Sequence, residues 1–289
     1  MAQDKTYTDL LALVQALAGV DSFTTSEQTR LLAIANRRLY QAYNAMPTWP
    51  RYMIGAQARP MNDGVVAAEY DEATGVRSVS SATRSSTTVT IVTTAAVTFV
   101  AGMRVTIAGL SGTVTPNGTY TVTGVTETTV ENDTFTYELD TTNTSTETYS
   151  GTGSVSPVAI ADISDYHRIY SANPFVSGVI RDLNFWVDSD GAHVTGDHDG
   201  LEGIWVGYKK QWPGPYLSTA TDIPLEFFYY AAHASYADFL RMDGYTDKAM
   251  AEEGAAQAYL QLEMEKAANS KNNNLAFGRF TTHNSTQSR

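Results

Sequence analysis

The run Gly102-Met103-Arg104-Val105-Thr106-Ile107-Ala108-Gly109, followed by Asn117-Gly118-Thr119-Tyr120-Thr121-Val122-Thr123-Gly124, decides how the middle of this chain is read. Met103, Val105 and Ile107, and then Tyr120 and Val122, alternate with polar neighbours, mostly threonine. A β-strand sends successive side chains to opposite faces, so this period of two marks a strand. The same alternation recurs at Val89 and Ile91 and at Phe135, Tyr137 and Leu139. Threonine toward water and apolar residues inward is the pattern of a half-buried antiparallel sheet. Turn residues separate the runs at Gly109 to Gly112, Asn117-Gly118, Asn132-Asp133 and Gly151 to Gly153. Residues 78–156 therefore predict an inserted, Thr-rich all-β domain, a sandwich or a barrel.

Outward from this stretch the pattern changes. On the C-terminal side, residues 157–211 stay strand-like but more aromatic, with Ile169-Tyr170, Phe185-Trp186-Val187 and Ile204-Trp205-Val206. Together with residues 65–77 they predict a small sheet flanking the insertion. At the N-terminus, Leu10, Leu13, Val14 and Leu17 recur at helical spacing, and Gly19 supplies a stop. A second helix begins at a capping box over Thr25-Ser26-Glu27-Gln28. Its apolar stripe is Leu32, Ala35, Leu39, Ala42 and Met46, and Pro47 and Pro50 around Trp49 end it. Arg30 and Arg37 lie off that stripe and read either as a solvated face or as a subunit contact meeting an acidic neighbour.

The last third returns to helix. Pro224 suits a first turn, and Leu225, Phe228, Tyr229, Ala232, Tyr236, Phe239 and Leu240 form a broad apolar face before Asp243-Gly244. Thr246 can cap a final helix to about Ala268, with a small-residue strip at Ala251, Gly254, Ala255 and Ala258 that lets another helix approach closely. The expected fold class is thus α+β: a helical-bundle core with a small antiparallel sheet from residues 1–77 and 157–268, the β-domain at 78–156, and a flexible C-terminal tail at 269–289.

Composition bounds the function. At 43% hydrophobic and 11% aromatic the chain is globular, and at 17% charged it is poor in charge, which favours surface hidden in an assembly. A net charge of −12 disfavours a protein built to grip nucleic acid, because phosphates are held by basic patches. The same charge suits a channel through which DNA slides without sticking. The absence of cysteine removes disulfides, zinc–thiolate sites and thiol nucleophiles. The apolar run from Leu10 to Val20 lacks a basic lead and is interrupted by Gln15, and no stretch reaches the roughly 20 apolar residues of a membrane span. The expectation is a soluble protein made in a cytoplasm, without a membrane partner.

Candidate chemistry is sparse. Asp188, Asp190, Asp197 and Asp199, with His193 and His198 between, could offer oxygens to a hard cation, yet they miss the spacing of a calcium loop. Asp-Gly pairs between two strands read equally well as hairpin turns. No phosphate loop, nucleophile elbow or zinc-protease helix is present in the sequence. His233 lies in the aromatic C-terminal helix as a packed residue, His167 sits in a strand or loop, and His283 in the tail. No catalytic residue or cofactor is expected.

The stretch Ile204-Trp205-Val206-Gly207-Tyr208-Lys209-Lys210-Gln211-Trp212-Pro213, then Leu217-Ser218-Thr219-Ala220-Thr221-Asp222-Ile223-Pro224, with the helices that follow and the N-terminal hairpin ending at Trp49, resembles the head-to-tail adaptor (connector, or head-completion) proteins of tailed bacteriophages. The insertion is similar to a β-module of phage structural proteins, and it departs from the minimal adaptor. The resemblance implies a ring, typically of twelve copies, beneath the capsid portal. That ring joins portal to a tail, nozzle or second adaptor and leaves a channel for DNA. It implies location in the virion neck, after assembly in the host cytoplasm. It also implies docking of the C-terminal segment on the portal, with Leu275, Phe277 and Phe280 as anchors; a merely flexible terminus is the other reading of that segment. A second expectation, from the β-domain, is a surface-binding module for a glycan or host receptor, or a decoration protein.

Overall fold

The computed structural model describes residues 4–70, 76–95, 99–129, 132–139, 145–158, 160–175, 181–196, 201 and 203–282, with side chains described for all of these but 127–129, 132, 133 and 270–282. The chain divides into two compact units, Met1–Tyr52 with Trp212–Arg289, and Met53–Gln211.

The first unit is helical. Helix α1 (Tyr7–Ala18) starts where the Thr6 hydroxyl accepts from the Asp9 N–H at 3.0 Å while Asp9 accepts the Thr6 N–H at 2.9 Å, and it stops at Gly19 in the left-handed region. Helix α2 (Thr25–Asn44) is capped in the same reciprocal way by Thr24 and Glu27, one residue earlier than the box read from the sequence. A short 3-10 turn (Pro50–Tyr52) follows it. Helix α3 (Leu225–Met242) and helix α4 (Thr246–Thr282) complete the unit, and Gly244 with φ +81° turns the chain between them. Helix α4 thus continues to Thr282, beyond the Ala268 expected and into the stretch read as a flexible tail; no proline interrupts it there.

One core holds these helices. It joins Leu10 and Val14 of α1, Leu31, Ala35 and Leu39 of α2, and Phe227, Tyr230 and Ala231 of α3. Trp49 sits edge-on to Phe227 at 5.0 Å, and its indole N–H donates to the Ala42 carbonyl at 3.1 Å. The segment before α3 is laced to α2 and the N-terminus through backbone partners: the Asn36 side chain exchanges two hydrogen bonds with Tyr216, at 2.9 and 2.7 Å, and Lys5 exchanges two with Ile223.

The second unit is all β. Strands β1 (Met53–Pro60), β2 (Val65–Val66), β10 (Ile163–Tyr170), β11 (Asp182–Val187), β12 (Ala192–Thr195) and β13 (Gly203–Lys210) form one antiparallel sheet in the order β1-β13-β10-β11-β12-β2. Strands β3 (Arg77–Ser85), β4 (Thr88–Thr93), β5 (Arg104–Ala108), β6 (Gly118–Thr129), β7 (Asn132–Glu138) and β9 (Ser154–Pro157) pair in the order β4-β7-β6-β5-β9-β3, and β3 pairs β4 again. That last pairing closes a six-stranded barrel, and the two-residue β8 (Glu147–Thr148) pairs with β3 on the edge opposite β4, farther along the edge that β9 uses. Val89, Ile91, Val105, Ile107, Val122, Phe135, Tyr137 and Val155 fill it, each at most 1% exposed, on the inward beats of the threonine alternation.

The expected fold class needs correction. In place of a helical-bundle core with a small sheet, the protein is β-rich, with four α-helices among the described residues beside two large antiparallel sheets. The aromatic runs after residue 157 are not a minor flank. They build a six-stranded sheet with its own core, Val66, Ile169, Val194, Ile204, Val206 and Tyr208, in the same unit as the barrel. Edge strand β1 was the least readable part. Gly55-Ala56-Gln57-Ala58 has little strand propensity, and it is pairing with β13 that extends it.

A buried cation ties the helices. Arg38 of α2, its side chain 10% exposed, holds both oxygens of Asp238 on α3 (2.8 and 2.7 Å) and both of Glu253 on α4 (3.1 and 2.8 Å). Arg37 and Arg241 add contacts to the same acids. Burial alone raises the Asp238 carboxyl, but the hydrogen bonds and charge of Arg38, then of Arg37, outweigh it and hold the group below the usual carboxylate range. A lowered folded-state value contributes stability above the ordinary carboxylate range and loses it as pH falls through the depressed value. Arg38→Met should therefore shift the acid midpoint of helix loss, followed by circular dichroism, to higher pH, and lower stability at pH 7 by about 3 kcal/mol in urea unfolding. An unmoved acid midpoint would show that the three helices do not depend on this charge.

Candidate functional site

Helix α4 presents two contrasting faces. Ala256, Leu260 and Ala267 are buried and cluster with Ala231, Ala232 and Ala234 of α3, so alanines on both sides let the two helices pack closely. Glu252 and Glu253 flank this side: Glu253 reaches Arg38, and Glu252 meets His233 Nδ1 at 2.7 Å. Half a turn away, the strip singled out in the sequence faces outward. Ala251, Gly254 and Ala258 are exposed, Ala255 is half-buried, and a Cβ built on Gly254 would meet nothing within 4 Å. Met250 at 70% and Leu262 at 48% exposure continue the same face. The close packing foreseen at these small residues is made, within the chain, by the alanines one helical face away.

Beside that face lies an aromatic stack. Tyr229 of α3 stacks on Tyr259 of α4 at 5.4 Å, and Tyr259 stacks on His233 at 5.1 Å. Tyr229 and Tyr259 remain 43% and 40% exposed, whereas Phe227, Phe228 and Tyr230 are buried. His233 is thus a packed residue paired with Glu252. Of the two arginines expected at a subunit contact, Arg30 is exposed on α2, and Arg37 is 58% exposed while donating to Asp238 at 2.6 Å within its own chain.

The acidic loop behaves as a turn. Asp188 Oδ1 accepts the Asp190 N–H at 2.9 Å and meets His193 Nε2 at 3.0 Å, and the Asp188 N–H donates to the Gly191 carbonyl, closing the β11–β12 hairpin. These hydrogen bonds, that of the Asp190 backbone first, hold the Asp188 carboxyl below its ordinary range. His193 in turn lies flat against Trp186, with ring centroids 4.0 Å apart. Asp197, His198 and Asp199 lie outside the described residues. Among the described residues no group of three or more His, Asp or Glu side chains is arranged to hold a metal ion.

Leu275, Phe277 and Phe280 fall within the span of α4, and their side chains lie outside those described; His283 lies outside the described residues altogether. His167 is on β10, with Nε2 4.0 Å from Asp165. No helix among the described residues is long and apolar enough to cross a membrane.

Sequence reading missed Arg38, Asp238 and Glu253. A signal was present: Arg38 stands three residues after Ala35 and seven after Leu31, on the buried stripe, where a charge must find partners.

Comparison with family models, with curated proteins and with solved structures found no match. Asp188 already spends its oxygen on the turn, so adding millimolar calcium or magnesium should leave the thermal melting curve where it is. A rise in melting temperature that Asp188→Asn abolishes would overturn the reading of this loop as a turn.

Proposed function

We propose that the protein is a structural subunit that assembles with copies of itself into a ring. In this reading the ring is a head-to-tail adaptor in the neck of a tailed phage, connecting the portal to the tail and leaving a channel for DNA. The observation that carries the reading is the outward face of α4. A helix face turned to water ordinarily carries lysine, glutamate and glutamine. This one carries Met250, Ala251, Gly254, Ala258 and Leu262 along its middle, with Asp247, Gln261 and Glu265 toward its ends and the exposed Tyr229–Tyr259 stack alongside. Small residues that admit a neighbouring backbone, bordered by exposed apolar and tyrosine side chains, form a surface suited to a further chain. The acidic balance of −12 is consistent with a channel that does not retain DNA. The portal and the tail-side component enter as partners through the resemblance of the 204–224 stretch and the helices around it.

Native mass spectrometry of the purified chain, alone and mixed with a portal protein, tests the reading. The expected result is a closed ring or a ring–portal complex, and a chain that stays monomeric in both conditions overturns it. Two variants separate assembly from folding. Gly254→Leu meets open space within the chain and replaces a poor helix former, so it should block the ring without lowering the melting temperature. Ala256→Leu, on the buried face, should instead destabilise the chain by about 1–3 kcal/mol.

A further inference from the structure

Within the β unit a cleft of about 360 Å³ opens beside the edge strand β1, between it and the mouth of the barrel. That volume is at the lower end of small-ligand sites, roughly 300–1,000 Å³. Its lining combines an apolar wall, Met103, Ile160 and Trp205, with Gln57, Arg104 and Asn173. Thr121 adds a hydroxyl that can donate or accept, and in the two amides the acceptor atom is already used. Gln57 Oε1 accepts the Tyr208 hydroxyl at 2.5 Å, and Asn173 Oδ1 accepts the Phe175 N–H at 2.9 Å. A backbone N–H can only donate, so this contact fixes the Asn173 amide with its NH2 free. Among the described residues nothing accepts from the Arg104 guanidinium or from either amide NH2. Among the described residues no carboxylate lines the cleft, in a chain with 31 acidic and 19 basic residues.

Three unspent donor groups, one of them a permanent cation, call for an acceptor-rich anion. The apolar wall asks the same ligand for a C–H face. A sugar ring with a carboxylate meets both demands. We propose that this cleft binds an acidic sugar, a uronic or sialic acid residue, with Arg104 on the carboxylate, Gln57 and Asn173 on the neighbouring oxygens and the ring against Met103 and Trp205. The proposal stands independently of ring assembly.

Isothermal titration of the full chain with glucuronic acid, N-acetylneuraminic acid, glucose and sodium acetate tests it. At least one acidic sugar should bind about tenfold or more tighter than glucose and than acetate, because a charge-assisted contact and the ring contacts both contribute. Arg104 is exposed at the start of β5, so Arg104→Gln should keep the parent melting temperature and erase the preference over glucose. Asn173→Ala should weaken the acidic sugar and leave the fold intact. Heat from none of the ligands, glucose binding as well as the acids, acetate binding as well as the sugars, or acidic-sugar affinity unchanged in Arg104→Gln would each overturn the assignment.

Discussion

A guanidinium taken out of water has to be neutralised where it lies, and Arg38 is taken nearly all the way. Burial would strip its charge, but two carboxylates that grip it at both ends more than reverse that tendency, and its proton is held more tightly than in a free arginine. Because the two acids come from different helices, Asp238 from α3 and Glu253 from α4, the condition is geometric as well as electrostatic. Helices α2, α3 and α4 satisfy it only in one register and at one rotation. An alanine-rich contact such as that of α3 with α4 is smooth and specifies register poorly, and a forked charge pair at its border supplies what the alanines lack. The small residues set how close the helices come, and the charges set where along their length they stop.

Once α4 is fixed in rotation, its two faces acquire different roles. The side bearing Ala256, Leu260 and Ala267 is consumed by the fold, and the side bearing Ala251, Gly254, Ala258 and Leu262 is turned outward. From sequence alone these faces could not be told apart. Both are rich in alanine, and glutamates border each, so a hydrophobicity count gives no preferred side. What separates them is the Arg38–Glu253 pair, a contact over more than two hundred positions of chain that no local pattern announces.

Where a side chain's environment is set by its immediate neighbours, the sequence was informative. Alternating threonine and apolar residues identified the strands around Val89, Val105, Val122 and Phe135, and these side chains fill the barrel. The reciprocal cap of α2 was legible to within one residue, falling on Thr24 and Glu27, whereas that of α1 at Thr6 and Asp9 went unread. Legibility failed where pairing partners are remote. Strand β1 is extended by β13, some 150 residues later, against its own weak propensity, and overlooking it made the six-stranded sheet look minor and the helices look dominant. In the acidic hairpin, Asp188 and His193 could be named from sequence, but only geometry shows that one carboxylate oxygen serves both the Asp190 N–H and the imidazole. The donor-rich cleft was invisible for the same reason, since Gln57, Arg104 and Asn173 belong to three distant stretches.

The barrel enters and leaves through neighbouring strands: β3 and β9 pair, with Arg77 opposite Val155. Its two ends therefore emerge side by side at a single hydrogen-bonded doorway. A module attached in this way can be exchanged for another of different length and surface while the flanking chain keeps its course, since the span to be bridged is one interstrand spacing of about 4.8 Å. For such a chain the doorway is a natural grafting point. An unrelated folded cassette with adjacent termini, a fluorescent reporter or an affinity module, can be seated between Val76 and Val158 to report on the protein.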